Sequence, residues 1–63
     1  MKINFYDKLI AHLNTYNFKY VNYYASNTKI IIVTKPSHKQ SVINYINDNK
    51  PKNFKTKIVI VDA

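Results

Sequence analysis

The chain has 63 residues, enough for one small domain near the lower limit for folding without metals or disulfides. It has no cysteine, which excludes a disulfide framework, a thiolate nucleophile and a thiolate metal site, and its apolar runs are too short to span a bilayer. Ten lysines face only Asp7, Asp48 and Asp62, with no arginine or glutamate, giving a net charge of +7 and a pI near 9.8.

Met1 and Lys2 lead straight into an amphipathic pattern with no secretory signal, so a reducing cytoplasm is the expected setting. The first helix is predicted over Asn4 to Asn17. Phe5, Leu9, Leu13 and Tyr16, with Tyr6 and Ile10 beside them, share one helical arc, and Asp7, Lys8, Ala11 and Asn14 lie opposite. Asn4 suits the N-cap, and Asp7 favours the positive end of the helix dipole. Asn17 is the expected left-handed closing residue in a chain without glycine.

Phe18 to Ala25 has the composition of a strand, with Phe, Val and three tyrosines and no breaker. Ser26-Asn27 is the expected turn, Asn27 being best able to take positive φ. The second strand, Lys29 to Thr34, carries the unbroken run Ile30-Ile31-Ile32-Val33, and the pair forms an antiparallel hairpin. Pro36 ends that strand because it has no amide to donate. Ser37 is the expected N-cap of a second helix over Ser37 to Asn49, with Gln40 completing a reciprocal cap. Val42, Ile43 and Ile46 turn inward, Tyr45 lies on the flank, and Lys50-Pro51 stops the helix. Phe54 to Val61 is the third strand.

The fold class is therefore α+β: a single small domain in α-β-β-α-β order, with a three-stranded mixed sheet and two helices on one face. Strands two and three, joined through a helix, run parallel with a right-handed crossover. Strand two in the centre gives the order 1-2-3, preferred because the isoleucine run is more apolar than the tyrosine-rich strand. The competing order places strand one in the middle. With Ile30, Ile32, Phe54, Ile58 and Ile60 toward the helices, the other face carries Ile31, Val33, Lys35, Lys55, Lys57, Val59 and Val61. Strand one adds either Lys19, Val21 and Tyr23 or Phe18, Tyr20, Asn22 and Tyr24, depending on register. A domain of this size has no third layer to cover that face, and such a patch marks an interface.

Catalytic chemistry is poorly supplied. His12 and His38 have no cysteine, histidine or carboxylate at metal-ligand spacing, and no cofactor is expected. Ser37, His38 and Asp62 supply the residue types of a triad, but adjacent Ser and His at a helix start are expected to point apart. Loops that cradle phosphates with glycine are excluded. No enzyme is expected.

Polyanion binding is better supplied. The first turn of the second helix offers free amides at Ser37 and His38, flanked by Lys35 and Lys39, where a phosphate or an anionic nucleotide would sit. Lys19, Lys52, Lys55 and Lys57 add sequence-independent phosphate contacts, and Tyr20 and Tyr23 offer faces for unpaired bases. Without arginine, the commonest bidentate reader of guanine is missing, so strong sequence specificity is not expected. The element order resembles small RNA-binding α/β domains, although the glycine loop of the KH type is absent. In composition the whole chain resembles the short Asn/Lys/Tyr-rich accessory proteins of phages and other mobile elements, including anti-CRISPR proteins. That resemblance implies inhibition of a host defence enzyme by protein–protein contact. The expected partners are thus nucleic acid or an acidic protein surface, together with a second copy of the chain through the open sheet face or the edge of strand three, and no membrane.

Overall fold

A computed structural model describes residues 4–63; the reading of Met1 and Lys2 lies outside them. Five elements follow in the expected order: α1 (Phe5–Leu13), β1 (Val21–Ala25), β2 (Lys29–Thr34), α2 (Pro36–Asn49) and β3 (Lys57–Asp62). The sheet order is β1-β2-β3, with β1 antiparallel and β3 parallel to the central β2. The isoleucine strand, more apolar than the tyrosine-rich β1, thus takes the position where both of its edges are paired. The fold class is α+β, as the hydrophobic pattern implies.

Register decides which side chains are buried. Val21, Tyr23 and Ala25 stand opposite Thr34, Ile32 and Ile30, which in turn stand beside Asp62, Ile60 and Ile58. Paired residues share a face, so this set lies under the helices. Phe5, Leu9 and Leu13 from α1 and Val42 and Ile46 from α2 close over Val21, Ile30 and Ile32 as one buried core. Thr34 is fully buried too, its hydroxyl donating to the Lys35 carbonyl at 3.1 Å.

The element ends differ from the sequence reading for local reasons. Helix α1 starts as expected, with Asn4 Oδ1 accepting from the Asp7 amide at 2.9 Å. It ends at Leu13 rather than Asn17, and Thr15 Oγ1 donates to the freed His12 carbonyl at 2.6 Å. Asn17 instead opens a turn: its side chain accepts from the Lys19 amide, and its carbonyl accepts from Tyr20 and Val21. Strand β1 consequently starts at Val21, not Phe18. The hairpin closes through Ser26 and Lys29, and no described residue has positive φ, so neither Asn17 nor Asn27 plays the left-handed part expected of it.

Helix α2 starts at Pro36, with Lys35 in the N-cap position and no side-chain cap. Proline at the first helical position loses nothing there, since its missing amide would be unpaired anyway. Ser37 is therefore inside the helix, and Gln40 donates forward to Asn44 instead of back. Phe54 is held in a turn before β3, where its ring meets Phe5 edge-on at 4.8 Å.

Candidate functional site

The sheet face opposite the helices forms three short rows. Tyr24, Ile31 and Val59 make one, Asn22, Val33 and Val61 the next, and Lys29 stands beside Lys57 at one end. Ile31, Val33 and Val59 shield one another and are only partly exposed, whereas Tyr24 is 62 % and Val61 38 % exposed. The face is an apolar shelf with one aromatic ring standing free and two lysines at its edge.

Acids are kept off this shelf. Asp7 belongs to α1 and Asp48 to α2. Asp62 shares the helix-side face with Ile58 and Ile60 and holds Lys39 at 3.0 Å. Among the described residues, the open face therefore carries positive charge only.

The sequence-predicted site residues fall into two groups at opposite ends of the sheet, about 17 Å apart along β2. One end gathers Lys19, Tyr20, Lys35, Ser37, His38 and Lys39. Here the Lys35 amide donates to the Tyr20 carbonyl at 2.8 Å, and the Tyr20 ring stacks on His38 with centroids 5.1 Å apart. Ser37 and His38 do not point apart: Oγ and Nδ1 meet at 2.8 Å. The Asp62 carboxylate pairs with Lys39. Lys39 is thereby drawn from the first turn of α2 toward the end of β3. The other end carries Lys52, Lys55 and Lys57 on the segment leading into β3. Lys29 and Lys50 stand beside them, although neither is singled out by the sequence pattern.

Tyr23 does not reach the open face. It lies on the helix side, and its hydroxyl donates to Asn14 Oδ1 at 3.1 Å. Its neighbour Tyr24, whose side depends on a register that composition leaves open, is the ring that faces outward.

Five rings cross the helical layer in a row. His12 stacks on Tyr45 at 3.8 Å, meets Tyr16 edge-on at 5.2 Å, and Tyr16 meets His38 edge-on at 5.6 Å before Tyr20 closes the row. His12 Nε2 lies 3.1 Å from the Tyr16 hydroxyl, and burial lowers its pKa from the ordinary value of 6.5. Burial removes hydration that a charged ring would need, which favours the neutral form.

Among the described residues no group of three or more His, Cys, Asp or Glu is placed to hold a metal ion, and no helix is long and apolar enough to cross a membrane. Between α2 and β3 lies a cleft of about 430 Å³, with Ile43, Ile46, Phe54, Ile58 and Ile60 as its apolar lining. Lys50, Lys55 and Lys57, with Asn47 and Thr56, complete its wall, and among the described residues no acid lines it. Comparison with known protein families, curated proteins and solved structures gives no match.

Proposed function

We propose that this protein binds single-stranded nucleic acid across its open sheet face and catalyses no reaction. The observation that carries this reading is the acid-free shelf: Tyr24 free to stack on a base, with Lys29 and Lys57 beside it. Stacking tolerates any base, and lysine contacts phosphate without reading sequence, so the combination suits a strand of varied sequence. Lys35 at one end and Lys55 at the other extend the positive track beyond the shelf.

Titrating a labelled oligonucleotide at low salt tests the reading. Tyr24→Ala should weaken binding by about 1–3 kcal/mol, whereas Tyr23→Ala should act only through stability. Replacing Lys29 or Lys57 by alanine should flatten the salt slope by roughly one unit for each phosphate no longer neutralised. An oligonucleotide that fails to bind even at low salt overturns the proposal.

A second reading rests on the apolar centre of the same face. Val61 is 38 % exposed beside Val33 and Val59, which suits burial against a second copy of the chain. Light scattering at high protein concentration tests it, and a strictly monomeric mass rejects it.

A further inference from the structure

The two edges of the sheet are finished differently. On β1, the alternation of paired groups turns the amides of Val21, Tyr23 and Ala25 away from β2. Two of these are already used: Val21 donates to the Asn17 carbonyl at 3.1 Å, and Tyr23 donates to Asn22 Oδ1 at 2.8 Å. A side chain and a turn thus blunt that edge against further pairing, as edge strands in soluble proteins usually require.

Among the described residues, nothing protects the outer edge of strand β3 in this way. The amides of Lys57 and Ala63 donate to the carbonyls of Thr28 and Thr34 at 3.2 and 3.1 Å. In a parallel ladder each residue directs its amide and carbonyl to the same side, and the side alternates. Residues 57, 59 and 61 therefore pair with β2, and the amides and carbonyls of Ile58, Ile60 and Asp62 face outward. Neither Ile58 nor Ile60 finds a partner for these groups among the described residues. The cleft between α2 and β3 is lined by Ile58 and Ile60 together with Ile43 and Ile46 of α2 and three lysines.

We infer that the β3 edge accepts an extended acidic segment of a partner protein as a fourth strand. Its main chain pairs with Ile58 and Ile60, alternate apolar side chains enter the cleft, and carboxylates just beyond the paired stretch, at the start of β3, meet Lys50 and Lys55. The chemistry of the wall selects the occupant. Main-chain pairing gives affinity to any extended segment, the apolar floor asks for alternate hydrophobic residues, and an acid-free basic rim asks for negative charge. A second copy fits less well, because each copy carries a net charge of +7. The occupant lies along a different edge from the proposed nucleic-acid track and shares only Lys55 with it.

The test is a labelled peptide whose alternating valine and threonine centre is flanked by glutamates, with the same peptide flanked by lysines as control. Binding is read by fluorescence anisotropy and by amide hydrogen exchange resolved by residue. The acidic peptide should bind and slow exchange at Ile58 and Ile60 by about tenfold or more, with Tyr23 and Ala25 unchanged. The double variant Lys50→Glu with Lys55→Glu should weaken binding about tenfold, while Lys35→Glu at the opposite end should leave it intact. All three positions are exposed, so circular dichroism should show each variant folded. Three outcomes overturn the inference: no binding of the acidic peptide, equal binding of the basic one, or binding without protection at Ile58 and Ile60. Protection of these amides in the protein alone, rising with concentration alongside a dimeric mass, overturns it in favour of a second copy. The same protection from an oligonucleotide overturns it in favour of nucleic acid.

Discussion

His12 occupies the middle of the helical layer, stacked on Tyr45 and within hydrogen-bond distance of the Tyr16 hydroxyl. Its pKa is lowered by desolvation from the ordinary 6.5 of the unfolded chain. The unfolded state therefore binds more protons than the folded state between those two values, so stability rises with pH there. The contribution is fully present above about pH 6.5 and is lost as pH falls through the lower folded value. Melting temperature should accordingly drop on acidification below neutrality. His12→Phe, which keeps a ring against Tyr45 and removes the titration, should flatten that dependence. An unchanged pH profile in the variant would show that His12 is not the source. Helical periodicity places His12 at the edge of the first helix, but its stacking partner comes from a helix 33 positions away, at Tyr45. Such a contact has no local signature. By contrast, the start of α2 is readable: Pro36 prefers the first helical position, which makes Lys35 the cap and leaves Ser37 inside.

At the scale of elements, the alternation of β2 is what divides core from surface. Ile30 and Ile32 are fully buried under the helices, while Ile31 and Val33, alternating with them, face the open shelf. The apolar run by itself looks alike on both faces, so it establishes the strand but not how completely each side is covered. Ile32→Ala should cost about 2–5 kcal/mol, enough to threaten so small a domain. Ile31→Ala should cost less, about 1 kcal/mol, because its environment is already partly solvent. Denaturant melts of the two variants check this, and equal losses would show that the open face is covered in solution. The register of β1 is the other point that composition leaves open. Its residues suggest a strand from Phe18, but the turn that begins at Asn17 uses up three residues and sets Tyr24, not Tyr23, on the shelf. Asn17 is the available signal, since its side chain readily bonds an amide two residues on.

The whole molecule puts its two functional readings on one face, and their responses to salt have opposite sign. An oligonucleotide held by lysines loses affinity as salt rises, because each neutralised phosphate releases a condensed counterion. Phosphates held by Lys29, Lys57 and Lys35 predict roughly twentyfold weaker binding between about 50 and 200 mM salt for a single strand. Two copies meeting through the same face must bring together two charges of +7, a repulsion that salt screens. Self-association should therefore strengthen over the same interval. Anisotropy with a labelled oligonucleotide and light scattering on the protein alone, both taken at the two salt concentrations, separate the two uses. Tyr24→Ala should reduce oligonucleotide binding at either concentration, and Val59→Lys should abolish a dimer while adding a cation to the nucleic-acid track. Oligonucleotide affinity that is flat in salt would remove the lysines from the interface, and with them the proposed function.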